Sequence, residues 1–352
     1  MKKIGVITFS KSINYGAFLQ AYALQKALKS LGYNPSLIDY ENPVDKARYD
    51  LINRQSAKSV ASSLIFLSIN ILRRRNFKKD AKLVNYTAKD THYDVAITGS
   101  DQVWNPKITG NKIEKMFFLD GVNASRKLSY AASIANENII EEYKKDFSKY
   151  LNEIDYVSVR EAGAKRSLEK LTKKPIALVA DPTLLLTQAE WKSAISDISK
   201  EKSDYIFAYF VNGIGSAENR ALTKACDKLN LKCTTFSKIP KEKRILKYAY
   251  TYGPRKFLAS LRDSKLVLTS SFHGVVLSIM MHKNFYYFLP RPDRRSRVDS
   301  ILNILGLTDR IIETEADIDR INLEDINYIE PQKKLDKLRQ ESLDWLKNAI
   351  EN

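Results

Sequence analysis

His273 is one of three histidines in the chain, in the stretch Leu266–Met281, LVLTSSFHGVVLSIMM. The apolar run Leu266–Thr269 predicts a buried strand, and the residues from near Gly274 predict a helix. Ser270 and Ser271 lie in the turn between them, able to cap the helix or to donate hydrogen bonds. A strand-to-helix turn presents backbone N–H groups and the positive end of a helix dipole, which suits an anion. A histidine held there can bind phosphate or carboxylate and move a proton; the alternative is a histidine that only packs at a helix start.

Polar sets follow other strands too. Tyr93–Thr98 predicts a strand that opens onto GSDQVWNP, where Asp101, Gln102, Trp104 and Asn105 supply a carboxylate, two amides and a ring. Sugars are held by such sets, planar groups taking hydroxyls and an aromatic face taking the ring; otherwise the loop is structural and Trp104 a buried anchor. Asn14, Tyr15 and Gly16 lie in the loop KSINYG after the first strand, lining a pocket or making an ordinary turn. Tyr156–Val159 predicts a strand, and Arg160 with Glu161 opens the helix after it, where Arg160 is placed to take a carboxylate bidentately, to pair with Glu161 or to cap a neighbour. Arg294, Arg295 and Arg297 cluster beyond His273, either as phosphate and carboxylate ligands or as a solvated loop.

Elements must position these groups. Lys3–Ser10 reads as a strand, 17–31 as a helix closed by Gly32, and 34–40 as the next strand, the opening of a parallel α/β sheet. Ligands of such sheets sit beyond the C-terminal strand ends. A GxGxxG fingerprint is missing from the first loop, so no dinucleotide is expected. Leu128–Ala132 predicts a further strand with Tyr130 near its end, and the rhythm resumes after a boundary near 185–200. Ser62–Leu72 reads as an apolar-rich helix abutted by Arg73, Arg74, Arg75, Lys78 and Lys79, a pattern that suits an anionic membrane surface or a helix packed on its own domain.

The whole chain bounds the function. At 352 residues there is room for two domains, and 44% hydrophobic with 28% charged content is that of a soluble globular protein. Two cysteines make no disulfide framework and have no ligand cluster near them, so a cytoplasmic protein without a metal is expected. The net charge of +17 calls for an anionic partner, yet zinc-finger spacing, RNA-binding aromatics and a helix-turn-helix are not found, so nucleic acid is not expected.

Together the blocks resemble the polysaccharide pyruvyl transferase family. The matching pieces, in family order, are NYGAFLQAYAL from Asn14, TGSDQVWNP from Thr98, SYAASI from Ser129, VSVRE from Val157, ADPT from Ala180, YGPRKFL from Tyr252 and TSSFHG from Thr269, followed by Ser296–Leu307. The family's histidine motif often begins with arginine; here Ser271 stands in that place, as in a branch with Ser-Phe-His-Gly, and Arg160 or Arg297 would have to compensate. The resemblance implies two Rossmann-like domains facing across a cleft, GT-B-like. Residues 1–190 would form the acceptor side, 191–330 the donor side, and the helix 331–352 would pack back on the first.

It also implies pyruvate transfer from phosphoenolpyruvate to two hydroxyls of one sugar, forming a cyclic ketal in a surface polysaccharide precursor. Phosphoenolpyruvate is the donor substrate and no cofactor is required. His273 is then the acid that protonates the methylene carbon and Asp101 a base for a sugar hydroxyl. Ser270, Ser271, Gly274, Arg160, Arg295 and Arg297 would bind the donor, and Asn14, Tyr15, Gly16, Gln20, Gln102, Trp104 and Tyr130 the acceptor. A cytoplasmic enzyme at the inner face of the membrane, with a lipid-linked acceptor, fits this scheme. The alternatives are a GT-B glycosyltransferase using a nucleotide sugar and a non-catalytic polyanion- or membrane-binding protein.

Overall fold

The computed structural model describes residues 1–52, 60, 63–211, 213, 215–237, 245–289, 295–314 and 316–352, with the side chains of 216, 217, 246 and 295–297 outside that description. The chain divides into two compact units. The first comprises 1–68, 81–186 and 335–352; the second comprises 69–80 and 187–334.

In the first unit, β1 (Lys3–Ile7), β2 (Asn34–Ile38), β3 (Tyr86–Thr87), β4 (Tyr93–Thr98) and β5 (Ala124–Ser129) form a parallel sheet in the order β3-β2-β1-β4-β5. Strands β6 (Val157–Val159) and β7 (Ile176–Leu178) pair with each other and extend the array through bridges Leu128–Tyr156 and Ala132–Val159. The strand order reverses between β1 and β4, so their C-terminal ends flank a crevice of the kind that binds ligands. The helix Tyr15–Ser30 starts where Asn14 Oδ1 accepts from the N–H groups of Gly16 and Ala17, at 3.0 and 3.2 Å. It ends where Gly32 takes φ +87°, a left-handed value that side chains resist.

From Leu335 on, the last helix belongs to this unit. Ser342 Oγ accepts from Ala180 N at 2.9 Å, Arg339 Nε donates to Leu184 O at 2.9 Å, and Trp345 packs near Tyr130.

The second unit has a parallel sheet of six strands: β8 (Tyr205–Tyr209), β9 (Lys232–Thr235), β10 (Ile245–Tyr248), β11 (Leu266–Thr269), β12 (Phe285–Phe288) and β13 (Ile311–Ile312). Its order, β10-β9-β8-β11-β12-β13, is the doubly wound one, and it reverses between β8 and β11. All residues of β8, β11 and β12 are buried, as expected of parallel strands covered on both faces.

Sequence expectation and structure part in identifiable places. Strand β5 stops at Ser129, so Tyr130 lies in the following loop; the next residue, Ala131, takes φ +51°. The basic run expected to follow a helix is inside it: the helix spans Leu67–Asp80. It is held by Arg73 over the Tyr250 ring (4.0 Å to the centroid), by Asn76 Nδ2 donating to Thr251 O at 2.7 Å, and by Asp80 accepting from Arg255 N at 2.9 Å. These partners are far off in sequence, and the local charge pattern carries no trace of them.

Candidate functional site

Each unit presents a polar centre at its own switch point. In the first, the turn after β4 lies close against the loop after β5 because residue 99 is glycine. Its φ is +111°, and a Cβ would lie 2.2 Å from Tyr130 O. The next residues are Ser100 and Asp101, the latter at φ +65°. Thr8, just past β1, donates from Oγ1 to Ser100 O at 2.8 Å and accepts from Gln20 Nε2 at 2.9 Å.

Arg160 lies at the middle of this network with its side chain 2% exposed. Its Nη1 pairs with Asp181 and donates to Ser100 Oγ at 3.1 Å, and its Nε donates to Glu161 Oε1 at 3.4 Å. Asp101 Oδ1 stands 3.8 Å from Nη2. Burial alone would lower the guanidinium pKa, but Asp181, Glu161 and Asp101 together hold it above the ordinary value. Asp181 is itself fixed by Thr183, whose N–H and Oγ1 donate at 2.9 and 2.6 Å.

A second carboxylate acts on Asp101 from the short helix Pro43–Arg48 that follows β2. Asp45 is buried, hydrogen-bonded to Ser12 Oγ, and 3.7 Å from Arg48. Burial pushes its carboxyl up to about 6, against the Ser12 hydrogen bond and Arg48, with Asp101 and Glu41 adding to the rise. A buried carboxyl poised near neutrality in the first turn of a helix beside the strand ends is the kind of group that moves protons.

It also makes a stability prediction. The folded-state value lies above the ordinary 3.8, so the group favours the folded state most below that pH, and this contribution is lost as pH rises past about 6. Asp45→Asn is therefore expected to flatten the stability profile between these values. At pH 8 the variant should exceed the parent by about 3 kcal/mol. Urea denaturation of both proteins across the pH range checks this; equal pH slopes would reject it.

In the second unit the centre is the start of the helix Phe272–Met280, directly after β11. The helix begins two residues before Gly274, so His273 occupies its first turn. Ser271 is the cap, its Oγ accepting from Gly274 N at 3.2 Å, and Ser270 Oγ accepts from Val211 N at 3.3 Å. Gly274 lets the helix close on the strand, since a Cβ there would lie 2.3 Å from Thr269 Oγ1. His273 is 8% exposed, beside the Phe272 ring, at the positive end of a helix dipole.

The expected residues thus fall in three groups. Asp101, Gln102, Asn14, Gly16, Gln20 and Arg160 gather at the C-terminal strand ends of the first unit, and His273, Ser270, Ser271 and Gly274 at those of the second. Arg295 and Arg297 begin the helix Arg295–Leu305, but their side chains lie outside the described residues.

Three aromatic expectations are corrected. Trp104 is 1% exposed, stacked on Phe118 at 4.9 Å, with Nε1 donating to Phe117 O at 2.9 Å, so no ring face is open to a sugar. Tyr15 and Tyr130 are fully buried, and the Tyr130 hydroxyl donates to Ala180 O at 3.0 Å. The engagement of Asn14 as a cap and of Gln20 with Thr8 likewise makes them supports of the loop. Asp45, Ser12, Ser100 and Asp181 were not anticipated as site residues. The Asp-Pro-Thr turn at Asp181 was a visible signal; for Asp45 only its distance from a strand end was.

Two doubly wound parallel sheets, each with a polar centre at its switch point, define a GT-B-like α/β protein. Solved structures agree on the fold. A Listeria monocytogenes protein assigned as a UDP-N-acetylglucosamine 2-epimerase aligns with TM-score 0.54 at 11% identity, over 99% of this chain and 95% of that one. S. aureus MnaA solved with UDP aligns with TM-score 0.50 at 12% identity, over 98% and 91%. No curated protein sequence matches the chain. The family model for polysaccharide pyruvyl transferases matches residues 14–291, which takes in both polar centres. The chain belongs to the polysaccharide pyruvyl transferase family, and it is a transferase.

Proposed function

We propose that this enzyme moves pyruvate from phosphoenolpyruvate to two hydroxyls of one sugar in a surface polysaccharide precursor, forming a cyclic ketal and releasing phosphate. The observation that carries this reading is the unlike chemistry of the two polar centres in a chain of this family. The first unit gathers Asp101, Glu161 and Asp181 around Arg160, with Asp45, held by Ser12 and Arg48, adding its charge near Asp101. Such a set accepts hydrogen bonds from hydroxyls and repels a phosphate. The second offers a helix start with a histidine and serines, suited to a donor that carries phosphate and carboxylate. The acceptor therefore belongs to the first unit and the donor to the second.

In this scheme His273 protonates the methylene carbon, leaving an oxocarbenium-like centre at the adjacent carbon. One sugar hydroxyl adds there, its proton passing to Asp101. The C–O bond to phosphate then breaks, a second hydroxyl adds, and its proton leaves with the phosphate or through a carboxylate. The C=C π bond and the C–O bond to phosphate are lost, and one C–H and two C–O bonds form. The two hydroxyl protons restore the acid and protonate the phosphate, so the step balances without a redox change, and the scheme calls for no metal or redox cofactor. Arg160, engaged by carboxylates, positions the Asp101 loop. The acceptor is carried on a lipid, and the enzyme works in the cytoplasm at the inner face of the membrane.

The test is incubation with phosphoenolpyruvate and a panel of lipid-linked and nitrophenyl sugars. Phosphate release together with a sugar heavier by pyruvic acid less one water is the expected result. Consumption of a nucleotide sugar with no phosphate released from phosphoenolpyruvate would replace this reading with glycosyl transfer.

A further inference from the structure

The helix Leu67–Asp80 has two opposite faces. Successive residues are about 100° apart around a helix, so Arg73, Phe77 and Asp80 form one stripe, and all three are buried. The stripe is pinned by the Tyr250 ring, the Thr251 carbonyl and the start of the helix Pro254–Asp263, all within the second unit. The opposite face carries Ile71, Leu72, Arg75, Lys78 and Lys79, every one exposed. Ile71 is 49% and Leu72 45% exposed, unusual for large apolar side chains on a helix whose other face is docked. Just before this helix, Leu64 and Ile65 are 55% and 75% exposed.

The order along the outer face matters. Apolar residues occupy its beginning and cations its end, with no acidic residue among the exposed positions from Ser68 to Lys79. An acidic protein partner would satisfy the cations but would leave Ile71 and Leu72 in water. A bilayer with anionic lipids satisfies both, the apolar pair entering the acyl boundary and the cations meeting headgroup phosphates. Among the described residues no helix is long and apolar enough to cross a membrane, so the contact would be peripheral.

We propose that the outer face of Leu67–Asp80, through Ile71, Leu72, Arg75, Lys78 and Lys79, is a docking surface for an anionic membrane. This identifies the surface behind the membrane location proposed above, and it does not depend on which donor the enzyme uses. The docked stripe fixes the helix in the second unit, so binding needs no refolding of this element. Each cation near an anionic surface contributes, and the apolar pair adds a term that salt does not screen.

The experiment is co-sedimentation of the full chain with vesicles of phosphatidylcholine alone or mixed with phosphatidylglycerol, at low and high salt. The expected result is binding that grows with phosphatidylglycerol and weakens with salt. Arg75→Glu with Lys78→Glu should weaken it at least about tenfold, and Ile71→Glu with Leu72→Glu should lower the part that survives high salt. Thermal melts should be unchanged, because all four side chains are exposed. The charge-matched control, Lys145→Glu with Lys149→Glu on exposed positions of the first unit, should bind as the parent does. Equal loss in the control would mean that the overall charge of +17 binds diffusely, and would overturn the proposal. So would no binding, or equal binding to both vesicle types. Phosphate release from phosphoenolpyruvate with soluble sugars is measured separately, so failure at the membrane is not confused with failure of the reaction.

Discussion

His273→Gln is expected to lower kcat for pyruvyl transfer by roughly 10²–10⁴-fold, the usual worth of a general acid, while leaving the melting temperature within a few degrees of the parent. The helix does not depend on the imidazole. Its cap is Ser271, and Val275, Val276, Leu277, Ile279 and Met280 are buried beneath it. Glutamine keeps size and polarity at that position but cannot give a proton to carbon. Because the histidine sits in the first turn, the variant should also leave the helix dipole and the Ser271 cap in place. Donor affinity should then fall much less than kcat, the signature of an interaction made mainly in the transition state. The comparison is kcat and KM for phosphoenolpyruvate beside a thermal melt. A histidine that only packs would give the reverse, a lower melting temperature with normal turnover per folded molecule, and that result would remove His273 from the chemistry.

The position of His273 was legible because its signals are local. LVLT is an unbroken apolar run, Ser271 stands where a cap is needed, and Gly274 permits close helix–strand contact. The first helix was read as 17–31, with Asn14 in a pocket-lining loop or an ordinary turn; it starts at Tyr15, and Asn14 is its cap. What could not be read depends on residues far apart in the chain. Arg160 was expected to await a ligand; in the structure its charge is already met by Asp181, 21 positions on, and Ser100, 60 positions back. Trp104 was expected to offer a ring face, but Phe118 stacks on it. Both polar and aromatic side chains look alike in sequence whether they face a ligand or the interior. The short strands β3, β10 and β13 escaped for another reason. They lie at or next to sheet edges, and two to four residues carry little alternation.

Arg160→Ala is expected to destabilise the protein by about 3–5 kcal/mol, the cost of breaking a buried ion pair by removing one partner. Asp181 and Glu161 are 2% exposed, and removing the guanidinium takes away the cation that their charges face, leaving neutral donors such as the Ser100, Ser133 and Thr183 hydroxyls and the Thr183 N–H. Lysine cannot reproduce the fork that reaches Asp181, Glu161 and Ser100 at once, so Arg160→Lys should recover only part of the loss. The measurement is the urea midpoint at fixed pH, combined with KM for phosphoenolpyruvate on the folded variant.

A donor-contacting arginine would show the opposite division, a raised KM with the midpoint nearly unchanged, and that result would return Arg160 to the donor site. The decisive addition is Asp181→Asn in the Arg160→Ala background. If the loss comes from an uncompensated carboxylate, neutralising it should restore stability, even though the same change in the parent protein lowers it. That reversal of sign separates a buried charge balance from a loss of packing, because packing would worsen with each substitution.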